Sequence, residues 1–397
     1  MKILEIVPVF SDPFGGPVTV VRSISKELAK RHEVTIYTTT ASDPKHDFEL
    51  RKEEVNGYRI YYFPRNFKQL IYSDLFGQMN ISLNMRKAVK DHLKEFDIVH
   101  IHSWQQFPDM LLHHYTKKYH IPFVLQVHGS LPKMGPKMLL KWVYDISFGY
   151  RILRDASKVI ALSEVEAQQY RSMGVPDEKI AIISNGIDLS EYVVLPVRGS
   201  FKRKFDIKNE EKIVLYLGRI HRDKGIDFLI KSFSYLIKNS AKNVRLVIAG
   251  PDDGYLIGSK CLVNSLRLNE HVLFTDMLSE NDKIKAYVDS SVCAYLSPYE
   301  PFGLVSLEAA ACGTPVIVST KTPMSQIVND GGFGFSVKYG DLNQLEKMLQ
   351  LILNSDNLKG EMGQRGRRYV FNHFDWSIII NKIEAVYNES IIVKENF

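Results

Sequence analysis

Short apolar runs alternate with amphipathic runs in two successive sets, and this alternation constrains the fold more than any other feature of the chain. In the first half, apolar runs of strand length occur at Ile3–Val9, Val34–Thr38, Arg59–Phe63, Ile98–Ile101, Phe123–Val127, Lys158–Ala161 and Ile180–Ile183. Helical patterns lie between most of them, at Val18–Arg31, Asn80–Glu95, Met110–Tyr119 and Lys137–Leu153. Strands that alternate with helices form parallel crossover units. The pattern therefore predicts a doubly wound α/β domain.

A second set of the same kind begins at Ile213, with strands near 245–249, 272–274, 292–296 and 316–318. The polar stretch Leu189–Lys212 contains a proline and a glycine and is predicted to be the linker. The chain has 397 residues, of which 45% are hydrophobic, enough for two cores. We predict domains at 1–190 and 191–372, followed by a helical segment at 373–397.

Composition excludes several classes of protein. The three cysteines, Cys261, Cys293 and Cys312, lie in or beside apolar runs and show no pairing pattern, which indicates buried thiols in a reducing cytoplasm. The N-terminal apolar run contains a glutamate and a proline, so a first strand is expected and not a signal peptide. No stretch reaches the roughly 18 apolar residues of a membrane span. A net charge of +6 is too small to indicate nucleic-acid binding.

The segment 298–308 carries the most informative local pattern. An apolar strand, Val292–Leu296, precedes a turn with Gly303, and a helix of small residues is expected at Leu304–Cys312. The first amides of such a helix, those of Gly303 and Leu304, have no partner within the helix and favour a phosphate.

Two carboxylates flank this turn. Glu300 lies before it, and Glu308 follows Leu304 by four residues, about 6 Å further along the helix axis. Carboxylates only accept hydrogen bonds, so the pair suits the ribose and hexose hydroxyls of a nucleotide sugar. The alternative is that Glu300 complements the helix dipole and Glu308 is solvated.

A second turn, which carries basic residues, indicates the same ligand. The strand Lys212–Leu217 is followed by residues 218–225, Gly-Arg-Ile-His-Arg-Asp-Lys-Gly, and by an amphipathic helix from Ile226 to about Asn239. Arg219 and Lys224 thus lie where open α/β sheets bind ligands. The alternative is surface pairing with Asp223 or Asp227.

With the segments described above, the chain resembles the retaining glycosyltransferases of the GT-B fold. The branch is that of sucrose synthase, bacterial glycogen synthase and many mannosyl- and glucosyltransferases, known as glycosyltransferase group 1, family 4. The resemblance spans nearly the whole chain and rests on segments 9–17, 97–103, 127–130, 184–188, 218–225, 249–252 and the pair Glu300 and Glu308.

The resemblance implies two Rossmann-like domains facing a deep cleft, with the C-terminal helix returning to the first domain. It implies a retaining hexosyl transfer from UDP- or GDP-hexose to a glycan or lipid-linked acceptor, with no metal and no cofactor beyond the nucleotide sugar. The expected catalytic residues are His128, Arg219, Lys224 and Glu300. The expected donor-binding residues are Gly15, Gly16, Asn185, Gly250, Met277, Phe302, Gly303, Leu304 and Glu308.

Several of these positions have simpler explanations. Gly15 and Gly16 also suit an ordinary turn, His128 could be satisfied by local backbone, and Asn185 with Gly186 fits a hairpin turn. Near Met277, Thr275 and Asp276 stand where the family usually has glycine, which leaves the base open.

Two groups of residues have side chains that could bind a metal ion. His100 and His102 alternate on one strand face and, with His113 and His114, suggest zinc, but no cysteine or carboxylate stands at a ligand spacing. The pair Asp252 and Asp253 is expected to be an exposed turn.

The segment 133–158 leaves two interpretations open. It carries Lys133, Lys137, Lys141, Arg151, Arg154 and Lys158, interleaved with apolar and aromatic residues. This pattern is typical of a helix that binds peripherally to the inner face of an anionic membrane. It is also typical of an ordinary core helix with a solvated stripe.

Two other functions remain as alternatives to a transferase. One is a nucleotide-sugar epimerase or a phosphorylase of the same fold. The other is a non-catalytic subunit that binds nucleotide sugar without turnover.

Overall fold

The computed structural model describes residues 1–10, 16–40, 50–66, 79–131, 138–239 and 243–395. The chain divides into two compact units, one of Met1–Gly186 with Trp376–Phe397 and one of Ile187–Asp375. The C-terminal helix Trp376–Glu395 thus belongs to the first unit, as predicted. None of the described helices is long and apolar enough to cross a membrane.

The first unit is built on an eight-stranded sheet. Its strands are β1 (Lys2–Val9), β2 (Glu33–Thr39), β3 (Arg51–Val55), β4 (Tyr58–Phe63), β5 (Ile98–Ile101), β6 (Phe123–Gln126), β7 (Lys158–Ala161) and β8 (Ile180–Ile182). The strand order is β3-β4-β2-β1-β5-β6-β7-β8, and every pair is parallel except β3 with β4. The inner strands β5 and β6 are buried at every position, as expected for a sheet covered on both faces.

Helices connect these strands. The described ones are Gly16–Leu28, Leu83–His92, Phe107–Tyr119, Met138–Tyr144, Tyr150–Asp155 and Glu164–Ser172, with 3₁₀ turns at Leu93–Glu95 and Asp177–Lys179. The run that was predicted as one helix, Lys137–Leu153, is interrupted by a π-helical turn at Asp145–Gly149. At Gly149 a Cβ would lie 3.1 Å from the Trp104 ring, so the turn brings bare backbone against that side chain.

The second unit is built on a six-stranded parallel sheet. Its strands are β9 (Lys212–Leu217), β10 (Val244–Ala249), β11 (Val272–Thr275), β12 (Val292–Tyr295), β13 (Val316–Ser319) and β14 (Gly334–Val337). The order β11-β10-β9-β12-β13-β14 is the 3-2-1-4-5-6 order of a Rossmann domain. The fold class predicted from the sequence is confirmed for each unit.

The described helices of this unit are Ser200–Lys204, Ile226–Asn239, Leu256–Ser265, Glu280–Asp289, Leu304–Ala311, Pro323–Gly331, Leu342–Asn354 and Asp356–His373, with 3₁₀ turns at Leu189–Tyr192 and Arg222–Lys224. Cys293 and Cys312 are buried as expected, and burial raises the pKa of the Cys312 thiol to about 12. Cys261 is exposed on the helix Leu256–Ser265, which corrects the expectation of three buried thiols.

Two strands were not predicted. β3 is an antiparallel edge strand whose sequence, Arg-Lys-Glu-Glu-Val, is charged and largely exposed, so it lacks an apolar pattern. β14 begins at Gly334, where a Cβ would lie 2.0 Å from the Val316 carbonyl oxygen. Close backbone approach explains the glycine and the weak strand signal.

Each sheet reverses its chain order beside its first strand. The reversal lies between β1 and β5 in the first unit and between β9 and β12 in the second. In open α/β sheets, ligands bind at the carboxyl ends of the strands on either side of this switch point. The loops that follow these four strands are therefore the candidate ligand loops of the two units.

Candidate active site

The loop after β12 and the helix Leu304–Ala311 form the phosphate-type turn predicted from the sequence. Gly303 is the residue that caps this helix and has a left-handed φ of 89°. Only glycine adopts that conformation without steric cost. Its amide and that of Leu304, the first helical residue, belong to the group that has no partner inside a helix and favours an anion.

Glu300 and Lys224 meet at this turn. Lys224 Nζ lies 2.8 Å from Glu300 Oε2, and the Tyr295 hydroxyl donates to the same oxygen at 2.9 Å. The side chains of Lys224 and Glu300 are only 17% and 14% exposed. Burial and the Glu300 charge raise the pKa of Tyr295 well above its usual value, so its hydroxyl remains a donor. The pair joins the loops after β9 and β12 at the switch point.

Arg219 lies apart from this pair. Its guanidinium contacts the Asp253 carboxylate and is largely exposed. The sequence also allowed surface pairing with Asp223 or Asp227, but these two residues have other contacts. Asp227 pairs with Lys231 at 3.3 Å, and Asp223 lies 3.7 Å from His221. The structure thus brings Lys224, but not Arg219, to the predicted carboxylate.

Glu308 is held by two groups that the sequence did not indicate. The Tyr287 hydroxyl donates to it at 2.7 Å, and Lys283 Nζ lies 3.3 Å away. The Glu308 side chain is 16% exposed, so the alternative of a solvated carboxylate is wrong for this structure. Burial acts to lower the pKa of Lys283, but the charges of Glu308 and Glu280 outweigh it and the pKa is raised. Tyr287 and Lys283 lie four residues apart on Glu280–Asp289, a spacing that could have indicated a shared face.

Glycines allow the ligand loops of this unit to approach each other. A Cβ at Gly250 would lie 2.0 Å from the Gly218 carbonyl oxygen, and one at Gly225 would lie 2.4 Å from the Leu296 carbonyl oxygen. All three glycines have positive φ. Gly250, expected to bind the donor, thus first serves the close packing of the loops after β9 and β10.

The remaining donor-site candidates of this unit differ in exposure. Met277 is 76% exposed and follows β11, whereas Phe302 is buried and lies 6.4 Å from the Phe374 ring. The Asp252 carboxylate accepts hydrogen bonds from the amides of Gly254, Tyr255 and Leu256. These contacts make it a turn and helix-capping residue.

The first unit contains a pocket of about 300 Å³ at its own switch point. Residues at the end of β1 and residues that follow β1, β5 and β6 line it, among them Val9, Pro17, His102, Trp104, His128 and Ser130. Gly16 begins the helix Gly16–Leu28 beside this pocket, and Gly15 lies outside the described residues.

His128 contributes its ring to this pocket. Its backbone has a left-handed φ of 50°, which is uncommon for a residue with a side chain. Nε2 lies 3.0 Å from His102 Nδ1, while Nδ1 is buried and has no hydrogen-bond partner among the residues the structure describes. Burial lowers the pKa of His128 well below its usual value, so the ring is neutral. Backbone alone does not satisfy this histidine.

Glu166 fixes the turn that carries His128. Its carboxylate accepts the amides of Gly129 and Leu162, both at 2.6 Å. This residue was not predicted from the sequence, since it lies 37 positions from Gly129 on the helix Glu164–Ser172. Burial raises its pKa.

A buried polar network lies behind His128. His102 Nε2 contacts Glu5 Oε2, the Tyr387 hydroxyl donates to Glu5 Oε1 at 3.1 Å, and His100 Nδ1 lies 2.6 Å from the same hydroxyl. Ligand atoms of Glu5, His100 and His102 lie within 4.8 Å of one another, a grouping compatible with a metal ion. Hydrogen bonds link these three side chains to one another and to Tyr387, so we interpret the group as a hydrogen-bonded network. The sequence pattern offered no carboxylate near His100 and His102, and in the structure Glu5 supplies one from the neighbouring strand β1.

Two other predicted positions have different surroundings. His113 pairs with Asp155 at 2.9 Å, which removes it from the zinc set considered above. Asn185 is buried beyond β8, and Ile187 then forms a parallel bridge with Asp375. This pairing is not that of a hairpin turn.

Comparison with known proteins agrees with this geometry. Residues 14–191 match the family described as Glycosyltransferase Family 4, and residues 197–369 match Glycosyl transferases group 1. The N-acetyl-alpha-D-glucosaminyl L-malate synthase of Bacillus anthracis is 24% identical over 383 residues, covering 94% of this chain and 93% of that protein.

Solved structures share the fold. Sucrose-phosphate synthase from Thermosynechococcus elongatus superposes with a TM-score of 0.78 at 23% identity, covering 99% of both chains. HepE from Anabaena, in complex with UDP and glucose, gives a TM-score of 0.76 at 19% identity, covering 97% of this chain and 98% of that one. With both halves matched in order and the switch-point residues in place, the chain belongs to the group 1, family 4 glycosyltransferases of the GT-B fold.

Proposed function

We propose that this glycosyltransferase is a retaining enzyme that moves a hexosyl group from a nucleotide-diphosphate hexose to a glycan or lipid-linked acceptor. The observation that carries the proposal is the largely buried ion pair of Lys224 and Glu300 beside the Gly303 turn. A cation, free helix amides and an acceptor-only carboxylate together match a sugar diphosphate, whose phosphates are anionic and whose hydroxyls donate.

Charge development explains how these groups would act. The bond between the sugar carbon and the phosphate oxygen breaks, its electron pair goes to the phosphate, and the sugar gains positive character. Lys224 and the amides of Gly303 and Leu304 stabilise the growing negative charge, as an oxyanion site does. Arg219, exposed beside Asp253, joins them when it turns toward the diphosphate.

Retention follows from attack on the same face of the sugar. The acceptor oxygen forms its bond to the sugar carbon as the phosphate departs, and the acceptor proton passes to that phosphate. Glu300 orients the hexose in this scheme. Lys224 and the helix amides supply the positive charge, so we propose that the reaction needs no metal and no further cofactor.

The remaining donor contacts follow from the same placement. Glu308, held by Tyr287 and Lys283, is positioned further along the helix Leu304–Ala311 to accept from ribose hydroxyls. We assign Gly250, Met277 and Phe302 to the nucleotide side of the site. In the first unit, Gly15, Gly16, Asn185 and His128 complete the expected set.

We propose uracil as the base of the donor, so UDP-hexose is the first donor to test. HepE, which shares the fold, was solved with UDP and glucose. Met277 follows β11 and is exposed, so this segment can present backbone groups to a base. GDP-hexose is the second donor to test.

An apolar face in the first unit supports a lipid-linked acceptor at an anionic membrane. The face comprises the exposed side chains Leu139, Leu140, Trp142, Val143, Ile146 and Phe148. The inner side of the same segment packs through Tyr144, Ile152 and Leu153. A core helix with a solvated stripe would expose polar residues instead.

Charge near the apolar face favours anionic lipid. Lys141, Arg151 and Arg154 lie on the same segment, whereas Asp145 is buried and Asp155 is paired with Lys117 at 2.8 Å. Apolar burial and attraction to anionic headgroups add in such surfaces. Lys133 and Lys137 lie outside the described residues.

A thermal-shift panel tests the proposed donor. A ligand that binds only the folded state stabilises it by about 2.7 kcal/mol at a hundredfold excess over its Kd. UDP, GDP, UDP-glucose and GDP-mannose would be compared with AMP as a control, in the presence and absence of EDTA. We expect a rise in melting temperature with one diphosphate and its sugar, unchanged by EDTA.

Turnover separates the transferase from its alternatives. Release of nucleoside diphosphate should depend on an added acceptor, including lipid extracts. Binding without turnover under every acceptor would favour the non-catalytic subunit. Conversion of the sugar nucleotide into an isomer without transfer would favour an epimerase, and formation of a sugar 1-phosphate from glycan and inorganic phosphate would favour a phosphorylase. No shift with any nucleotide would refute the donor site.

A further inference from the structure

Three side chains in the first unit form an unbroken line of hydrogen bonds from the pocket to the sheet interior. His128 Nε2 lies 3.0 Å from His102 Nδ1, and His102 Nε2 contacts the Glu5 carboxylate. Both atoms of each contact are ring nitrogens or carboxylate oxygens that can carry a proton. Glu5 and His102 have no role in the proposed transfer, yet both are buried.

We propose that Glu5, His102 and His128 form a proton wire, in which the protonation state of Glu5 sets whether His128 Nδ1 accepts or donates in the pocket. Nδ1 of His128 is buried without a partner among the described residues, so it is the open end of the wire. Glu5 is the closed end.

The two states of the wire follow from proton counting. With Glu5 ionised, His102 carries its proton on Nε2 and donates to Glu5, and His128 carries its proton on Nε2 and donates to His102. Nδ1 of His128 is then an acceptor.

Adding one proton reverses every bond. The proton enters at His128 Nδ1, the Nε2 proton of His128 passes to His102 Nδ1, and the Nε2 proton of His102 passes to Glu5. His128 Nδ1 now donates. Both rings are neutral in both states, in agreement with burial, which lowers the pKa of His102 to about 3 and that of His128 well below its usual value.

The groups around Glu5 set its pKa and therefore the pH at which the wire changes state. From β5, its register partner is His100, and from the C-terminal helix the Tyr387 hydroxyl donates to Glu5 Oε1. From β2, the partner is the uncharged Ile36. Burial raises the pKa of Glu5, while His100 and the Tyr387 hydrogen bond lower it. Tyr387 also lies near the charge of Glu384 on its own helix.

The consequence for ligand binding rests on the proposed function. A sugar hydroxyl that donates to His128 Nδ1 requires ionised Glu5, so proton uptake by Glu5 would weaken that contact. Glu5 and His102 are thus positioning residues that act through His128. The test below uses the protein without substrate, so its outcome is independent of donor or acceptor identity.

Nitrogen-15 NMR of the histidine rings distinguishes the tautomers directly. In the whole chain with labelled histidine, we expect His128 to carry its proton on Nε2 above the midpoint at which Glu5 takes up its proton, and on Nδ1 below that midpoint. His102 should change at the same midpoint, with no imidazolium signal from either ring. A single tautomer over the whole range, or a change to imidazolium, would overturn the wire.

Two variants locate the proton at Glu5. Glu5→Gln has no carboxyl proton to exchange, so both tautomers should become independent of pH. Tyr387→Phe keeps the ring in its packing and removes the hydroxyl that donates to Glu5, so the midpoint should rise. Glu384→Gln alters a partly buried acid on the same helix as Tyr387 and outside the wire, so both histidines should still change tautomer with pH in this variant. An unchanged midpoint in Tyr387→Phe would contradict the role of Glu5 even if Glu5→Gln failed to fold.

Discussion

Lys224 and Glu300 are 76 positions apart in the sequence, yet their side chains form an ion pair of 2.8 Å at the switch point of the second unit. The Tyr295 hydroxyl also donates to Glu300, and the side chains of both Lys224 and Glu300 are largely buried. The pair is therefore preorganised before any ligand binds, which is what electrostatic stabilisation of a transition state requires.

Replacing either member should impair turnover. We expect Lys224→Ala and Glu300→Gln each to lower kcat at least about tenfold, and by as much as about 10²–10³ if Lys224 acts like an oxyanion donor. Lys231→Ala, which removes an exposed lysine paired with Asp227, is the matched control. Initial rates of nucleoside diphosphate release would be measured beside melting temperatures. Wild-type rates in both variants would refute the assignment.

Glu308 should affect donor affinity more than the chemical step. Glu308→Gln removes the charge that accepts from ribose hydroxyls, and hydrogen bonds to charged groups contribute about 1.5–3 kcal/mol. We therefore expect UDP to bind roughly 10- to 150-fold more weakly by calorimetry. Glu361→Gln, an exposed acid on Asp356–His373, serves as control. Equal UDP affinity in Glu308→Gln and wild type would exclude the ribose contact.

Gly250 should be intolerant of a side chain. Gly250→Ala places a Cβ 2.0 Å from the Gly218 carbonyl oxygen at a φ of 144°, so we expect a loss of about 3 kcal/mol in the free energy of unfolding. Gly360→Ala is the contrast, since that site is helical, exposed and has no atom within 4 Å of the new Cβ. It should gain about 0.5–1 kcal/mol. Urea unfolding compares the two, and similar values would disprove the steric argument.

The buried histidines should make the first unit sensitive to acid. Burial lowers the pKa of His102 to about 3 and those of His100 and His128 well below the usual value. The unfolded chain takes up these protons near pH 6.5, so below this pH the unfolded state binds more protons and stability falls. Each histidine contributes a slope of about 1.4 kcal/mol per pH unit.

Glu5 opposes this slope, because burial raises its pKa and the folded state then binds the extra proton. The net expectation is a loss of stability as the pH falls from about 6.5 to about 5, with a slope smaller than the roughly 4 kcal/mol per pH unit of three histidines acting alone. Urea unfolding of the first unit at the two pH values measures it. His92→Gln, which alters an exposed histidine paired with Glu95, should leave the slope unchanged. Equal stability at both pH values would count against neutral buried histidines.

The apolar face should drive binding to anionic vesicles. Leu139 and Trp142 are 72% and 50% exposed, and removing both from a membrane contact should lower partitioning at least about tenfold. The double variant Leu139→Ser with Trp142→Ser would be compared with Ile257→Ser, which removes an equally exposed side chain from the second unit. Lys141→Glu should weaken binding most at low salt. Wild-type protein that stays unbound at low salt would exclude the membrane surface.

Local sequence was sufficient for several features of the site. Gly303 and the small-residue helix after β12 predicted the phosphate-type turn, because φ preferences and unpaired first amides act over a few residues. The basic turn with Lys224 was also predicted, because its glycines and charged residues lie within a few positions of one another in the sequence. Long-range partners were not: Tyr287 and Lys283 reach Glu308, and Glu166 reaches the Gly129 amide, through packing that no local pattern encodes.

The sequence by itself determined the alternation of strands and helices, the glycine turns and the charged residues that follow them, since these depend on neighbours in the chain. Only the tertiary structure decided which of those residues meet. Parallel strands bring distant loops to one sheet edge, so Lys224 joins Glu300 and not a nearby aspartate. The same sheet order places Glu5 beside His100 and His102 and lets Tyr387 close the network from the far end of the chain.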